Sequence, residues 1–350
     1  MAGEFNHTGL LVDHLDIRNF RLYENLNVSR LARVNLIVGR NNAGKTSLLE
    51  AVRILASIGA PYVLWDIVNS RDEHGQALDR NLNRRLERYG LMNLFNRSAK
   101  AAGPLVIRSG NRRVSVQLAW YREIVEGDQA YRIERAADPA EDELVTLRPM
   151  LEVSAGDGSR RIFLDRKYSR RTEPLAAEYE CVFVGSAGVS STEAARLWDR
   201  IALTPLEQEV VSSLSMIYPG LERISMSTGE DERTRYARAK VSDFESPVPL
   251  KSLGEGVNRI FGIVLALVNA KNGLLLIDEV ENGIHYSVQP HLWKFMIAAS
   301  ERLNVQIFAT THSSDAIRAF QWAGRGLSKV EAILTRLERK DGVVTESQIR

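Results

Sequence analysis

Eight residues, Gly39-Arg40-Asn41-Asn42-Ala43-Gly44-Lys45-Thr46, restrict the fold of this chain more than any other stretch. They fill every fixed position of the phosphate-loop pattern, with a strand expected over Val34 to Val38 and an amphipathic helix over Ser47 to Ile58. Glycines at both ends let the backbone curl, so that successive N–H groups and the helix N-terminus point at an anion. Lys45 then lies on the β- and γ-phosphates of a nucleoside triphosphate, and the Thr46 hydroxyl ligates Mg²⁺. Gly39, Asn41, Asn42, Ala43, Gly44, Lys45, Thr46 and Ser47 are therefore the expected nucleotide-binding residues. A plain glycine-rich turn between strand and helix would not need the lysine and threonine at this spacing.

A loop of this kind works inside an α/β sheet, and 350 residues suffice for one large α/β domain with an insertion. Lysine plus arginine exceed aspartate plus glutamate by only 46 − 44 = 2, so any contact with DNA must be a local patch. Cys181 is the single cysteine, which excludes an internal disulfide and a cysteine-based zinc site and fits a reducing cytoplasm. Its apolar surroundings, Cys181-Val182-Phe183-Val184, read as a buried strand rather than a reactive thiol. No apolar run approaches membrane-spanning length and no signal peptide is visible, so a cytoplasmic protein without membrane contact is expected.

Alternation of apolar and polar residues from Leu10 to Val28 predicts a strand pair before the phosphate-loop strand. Residues Leu64 to Lys100 predict one or two surface helices. Between Leu105 and Phe163, alternating segments separated by turns such as Ser109-Gly110-Asn111 predict an antiparallel meander inserted after the first βα unit. Helical character returns from Ser191 to Tyr218. The C-terminal third then reads as a buried helix over Asn258 to Ala270, a strand over Leu274 to Ile277 and a helix over Val288 to Leu303. A strand over Val305 to Thr310 and a helix starting at Ser314 follow. Strands apolar on both faces, alternating with helices, predict a mainly parallel sheet covered on both sides.

The chemistry needs a carboxylate for the metal and a group that polarises water, and Leu274-Leu275-Leu276-Ile277-Asp278-Glu279 offers both at a strand end. Asp278 is the expected Mg²⁺ ligand together with Thr46, and Glu279 the residue that orients and deprotonates the attacking water. The next strand ends in Thr310-Thr311-His312, and parallel strand ends share one edge, so His312 is expected to face the γ-phosphate beside Glu279 and Lys45. Upstream, Lys251-Ser252-Leu253-Gly254-Glu255-Gly256 opens a helix with a hydroxyl and bare backbone at Ser252, Gly254 and Gly256. That is a second phosphate-facing helix start, and it implies a site completed by another copy of the chain. A simply capped helix start is the alternative.

This order of phosphate loop, Ser-Leu-Gly-Glu-Gly, Asp-Glu strand and terminal histidine resembles the ABC-type ATPase heads of the SMC, RecF and OLD kind. The opening Ile17-Arg18-Asn19-Phe20-Arg21 and the Asn-Asn-Ala-Gly-Lys-Thr loop are similar to that branch, and Asp278-Glu279-Val280-Glu281-Asn282-Gly283-Ile284-His285 resembles the OLD form. The resemblance implies one ABC-type ATPase domain over residues 6–350. Within it stand a phosphate-loop lobe at 10–60, an inserted helical and meander region at 61–250, and a signature, Asp-Glu and histidine lobe at 251–350. It further implies a homodimer on ATP binding, with Asn282 to His285 crossing the interface. Single-chain OLD nucleases continue into a metal-dependent nuclease domain. Without one here, the expectation is an ATPase subunit working with a separate effector, a nuclease or toxin, in anti-phage defence, or the ATPase portion of something longer. The glutamine that follows a middle strand in these heads has no counterpart at Val182-Phe183-Val184-Gly185-Ser186.

Two arginine groups bear on DNA. Arg80, Arg84, Arg85 and Arg88 stand near Arg108, Arg112 and Arg113 in the first; Arg160, Arg161, Arg166, Lys167, Arg170 and Arg171 form the second. Clustered arginines suit DNA phosphates, and they equally suit solvated helix faces and hairpin tips. A RecF-type repair ATPase and a nucleotide-controlled scaffold with slow turnover are the competing readings.

Overall fold

The computed structural model describes residues 9–73, 89–96, 103–126, 130–136, 147–156, 158–164, 179–229, 234–325 and 331–349. Among them the strand Val34–Val38 (β3) has all its side chains buried and is central to a six-stranded sheet. Its neighbours are Gln306–Thr311 (β14) on one side and Ala332–Lys340 (β15) on the other, both parallel to it. Beyond β14 lie Leu274–Ile277 (β13) and Cys181–Val184 (β9), also parallel, and Val343–Ile349 (β16) closes the other edge antiparallel to β15. Neighbouring parallel strands end in register, so residues that follow them meet at one edge.

Both faces of this sheet are covered, as continuous apolar strands require. Leu36, Ile307, Ala309, Leu275 and Ile277 join one core, built with the helices Glu255–Asn269 (α5), Gln289–Arg302 (α6) and Ser314–Gly324 (α7). Ile37, Phe308, Leu274 and Leu276 face the other core, which holds the helices Lys45–Ala56 (α1) and Pro61–Asn69 (α2). The period of two along each strand is what divides one sheet between two cores. Cys181 is half-buried in the edge strand β9, and desolvation pushes its thiol up to about 12.

The strand pair and the meander form one antiparallel sheet. Leu15–Phe20 (β1) pairs with Tyr23–Val28 (β2) on one side and with Leu105–Ser109 (β4) on the other. The sheet continues through Arg112–Glu126 (β5), Arg148–Ala155 (β7) and Gly158–Phe163 (β8), with Ala130–Arg135 (β6) also on β5. Its buried face packs on α1, so the phosphate-loop helix lies between two sheets.

The helical stretch expected from Ser191 to Tyr218 is two helices, Ser191–Asp199 (α3) and Pro205–Ser215 (α4). Thr204 caps the second and Pro205 opens it. The surface helices expected between Leu64 and Lys100 are corrected in part: α2 buries Val63, Leu64, Ile67 and Val68. Residues 74–88 and 97–102 lie outside the described residues. Two further elements have no counterpart in the sequence pattern: a three-stranded sheet of Leu221–Thr228 (β10), Arg235–Val241 (β11) and Val248–Pro249 (β12), and the β15–β16 hairpin. No helix among the described residues is long and apolar enough to cross a membrane.

Candidate active site

The turn from β3 into α1 is shaped by two left-handed residues, Asn42 at φ 62° and Gly44 at φ 96°. No acidic residue stands in the first turn of α1, so nothing there competes with a bound anion. Behind the loop, the buried Tyr23 hydroxyl donates to the Gly44 carbonyl at 2.6 Å. Gly39 is equally enclosed, because a Cβ there would lie 2.6 Å from the Leu337 carbonyl oxygen of β15. Lys45 is 7% exposed and its ammonium donates to the carbonyls of Gly39 and Arg40 at 2.8 and 3.2 Å. Burial pulls its pKa down, and the carboxylates of Asp278, Glu279 and Glu281 oppose that shift.

Parallel register brings the assigned carboxylate to the loop. The Thr46 hydroxyl lies 3.0 and 3.2 Å from the two Asp278 carboxylate oxygens, and Thr310 of β14 donates to Asp278 at 2.6 Å. A hydroxyl and a carboxylate converging this closely are hard oxygen donors, the set that suits Mg²⁺. Glu279 stands in the left-handed region at φ 48°, with its backbone N–H donating to the Thr310 hydroxyl at 2.9 Å. Its carboxylate accepts from the Asn282 amide at 2.7 Å and lies 3.7 Å from His312 Nδ1. Lys45, Thr46, Asp278, Glu279 and His312 therefore share one edge.

Ser252, Gly254 and Gly256 stand elsewhere. Ser252 lies in the single turn before α5, and Gly254 at φ 110° has open space where a Cβ would be. Gly254 and Gly256 line an apolar pocket of about 250 Å³ with Leu253, Gly283, Ile284 and His285. Gly256 packs so closely on the following loop that a Cβ would meet the Gly283 carbonyl oxygen at 2.9 Å.

Three features of the site have no role assigned to them by the sequence reading. Arg259 of α5 is 5% exposed and donates to the carbonyls of Gly185 at 2.6 Å, Asp278 at 2.8 Å and Glu279 at 3.1 Å. It ties the helix that begins at Gly254 to the two strand ends beside it. Burial lowers its pKa, and Asp278, Glu281 and Glu279 counter that shift. Arg259→Met leaves those carbonyls without their charged donor, and stability is expected to fall by about 3 kcal/mol, read as a lower urea midpoint at unchanged slope.

The second feature lies at the other end of the loop. Arg21, after β1, grips Glu50 of α1 at 3.1 Å and Glu73 at 2.6 Å, and Arg71 binds Glu50 at 2.7 Å. Burial raises the Glu50 pKa and both arginines oppose it. Arg21 keeps one buried Nη2 without a partner and lines a pocket of about 410 Å³ together with Asn42, Ser47, Arg71, Asn96 and Arg339. The third feature is Glu281, whose nearly buried carboxylate lies against His312.

Among the described residues, three arginines of these groups are engaged within the molecule. Arg112 donates to the Leu11 carbonyl at 2.6 Å and covers the Tyr179 ring, Arg160 donates to Ile58, and Arg161 lies over Tyr121. Arg108 and Arg113 are exposed and directly opposite each other. Arg80, Arg84, Arg85, Arg88, Arg166, Lys167, Arg170 and Arg171 lie outside the described residues.

A phosphate loop, an Asp-Glu strand end and a histidine on adjacent parallel strands, with an antiparallel sheet packed over the loop helix, define a P-loop ATPase head of the ABC type. The chain belongs to the family described as "AAA domain, putative AbiEii toxin, Type IV TA system", whose model matches residues 34–318. It is 23% identical to an "ATP/GTP phosphatase" of Helicobacter pylori over 336 residues, covering 88% of this chain and 86% of that one. It is also 30% identical to the "DNA replication and repair protein RecF" of Streptomyces avermitilis over 173 residues, 48% of this chain and 46% of the relative. Among solved structures, the Smc head bound to the C-winged helix domain of ScpA superposes with a TM-score of 0.50 at 11% identity, covering 97% of each chain.

Proposed function

We propose that the chain binds Mg·ATP between two copies of itself and hydrolyses it, and that a separate effector, a nuclease or toxin, reads the state of the pair in anti-phage defence. The observation that carries the nucleotide reading is the meeting of Thr46 and Asp278 at 3.0 Å beneath the phosphate loop. Lys45 and the loop N–H groups hold the phosphates. The pocket lined by Arg21, Asn42 and Ser47 takes the nucleoside end. Mg²⁺ on Thr46 and Asp278 offsets charge on the phosphates. Glu279 orients the attacking water and takes its proton, and His312 holds the γ-phosphate.

The pocket that Gly254 and Gly256 line includes none of Lys45, Thr46, Asp278 or Glu279, which supports a site in which the start of α5 meets the phosphates held by a second copy. The neighbouring loop presents His285 and Tyr286, their ring centroids 4.3 Å apart and tilted by 38°, with Tyr286 63% exposed, as a contact for a second copy. Mixing two inactive variants tests the sharing. Lys45→Ala fails in one half of the site and Ser252→Arg in the other, so a mixed pair rebuilds one intact site. Phosphate release is expected to return on mixing, and a mixture as dead as its components sinks the shared site.

The family description names a toxin of a toxin–antitoxin system, and the Asn282 to His285 loop supports the OLD-like side of that reading. The match to RecF over 48% of the chain favours a second reading, a DNA-repair ATPase. ATP-dependent binding to duplex ends or gaps by the chain alone decides for repair, and turnover that needs the neighbouring gene product decides for the effector.

A further inference from the structure

Glu281 is the acid that the proposed chemistry does not use, and it is placed against a residue that the chemistry does. Its side chain is 9% exposed, and its Oε1 lies 3.4 Å from His312 Nδ1. The same oxygen accepts the backbone N–H of His312 at 3.2 Å, so one carboxylate oxygen touches both the main chain and the ring of one residue. The other oxygen, Oε2, is buried without a hydrogen-bond partner. A carboxylate held in that condition costs free energy, and a chain that needed only a loop anchor could use a neutral acceptor here. The backbone around it is stiff as well, because Val280 N–H donates to the Thr310 carbonyl at 3.0 Å and Glu279 N–H to the Thr310 hydroxyl at 2.9 Å.

We propose that Glu281 is a positioning residue for hydrolysis, one whose carboxylate sets the His312 ring toward the γ-phosphate by accepting the His312 backbone N–H and standing beside Nδ1, which also faces Glu279. This rests on the reading of His312 as the γ-phosphate group. An imidazole 45% exposed on its own would sample several rotamers, and holding one nitrogen sets the direction of the other. The next residue in the chain does the same for the base, since the Asn282 amide donates to Glu279 at 2.7 Å. Glu281 and Asn282 thus hold the two groups that face the terminal phosphate, from the root of the loop that carries His285 and Tyr286. Contact of a second copy with that loop reaches both groups through two adjacent side chains.

The test is a double-mutant cycle read in ATP turnover, with Mg·ATP affinity measured alongside on every variant. Glu281→Gln is expected to lower kcat about tenfold to a hundredfold at unchanged affinity, the scale of a misplaced reacting group. In a His312→Ala background the same change is expected to cost nothing more, because the residue it acts through is gone. Glu281→Asp, which keeps the charge but withdraws it by one methylene, must show the same pattern and decides the matter if the glutamine variant does not bind ATP. A slow His312→Ala enzyme combined with parental turnover in both Glu281 variants, or with losses that add fully in the double variants, overturns the role of Glu281. A His312→Ala enzyme at the parental rate instead overturns the role given to His312, and the proposal falls with it.

Discussion

Glu279→Gln is expected to slow ATP turnover by about 10²–10⁴-fold, the range for removing a positioned general base, while Mg·ATP still binds. Glutamine has the shape of glutamate and can still meet the Asn282 amide with its oxygen, so the backbone at φ 48° and the contacts of Thr310 are not disturbed. What goes is the ability to accept the proton of water. Lys45, Thr46 and Asp278 are untouched, so the variant is expected to accumulate as a nucleotide-bound dimer. Phosphate release and sedimentation with and without Mg·ATP report the two effects separately. Parental turnover would mean that another group accepts the proton; a slow variant that stays monomeric with ATP would separate binding from pairing.

The second large effect is expected at Gly44. A methyl group there lies 2.7 Å from the Tyr23 hydroxyl and 2.9 Å from its Cε1, at a backbone φ of +96° that an alanine adopts only under strain. Tyr23 has nowhere to retreat, being 1% exposed and held by its own hydrogen bond to the Gly44 carbonyl. Strain of about 1–3 kcal/mol falls on the turn whose N–H groups must point inward. At about 1.4 kcal/mol per tenfold, Gly44→Ala is expected to weaken ATP binding by about 5- to 150-fold. Equilibrium binding of a fluorescent ATP analogue measures it. Unchanged affinity would show that the loop is not held against Tyr23 when nucleotide is bound.

Motifs that lie in one continuous stretch are legible in the amino-acid order itself. The residues Gly39 to Thr46 specify a turn by their own backbone needs, and Val34 to Val38 or Leu274 to Ile277 are dominated by apolar residues because they are buried on both faces. The β15 strand is not legible, since charges at Arg336, Glu338, Arg339 and Lys340 hide the buried Leu334 and Leu337. Nor is the union of the strand pair with the meander, because pairing of Ile17 with Ile107 is a matter of register between distant segments. The hidden part of the site consists of buried charge. The burial of Arg21, Glu50 and Arg259 depends on tertiary contacts with Glu73, Arg71 and the carbonyls at the strand ends, which the amino-acid order does not display. The reverse holds for Arg112 and Arg160, which look like a basic patch and are engaged within the molecule.

The wall that β15 makes against Gly39 has a practical meaning for where this protein can be cut. The family match ends at residue 318, whereas the strand that flanks β3 runs from Ala332 to Lys340. A fragment trimmed to the match would turn a fully buried strand of the sheet into a bare edge, open to pairing with other chains. It would also strip the Leu337 carbonyl from behind the first glycine of the loop. A fragment that is to keep β3 and Gly39 covered must therefore carry the β15–β16 hairpin along with the matched segment.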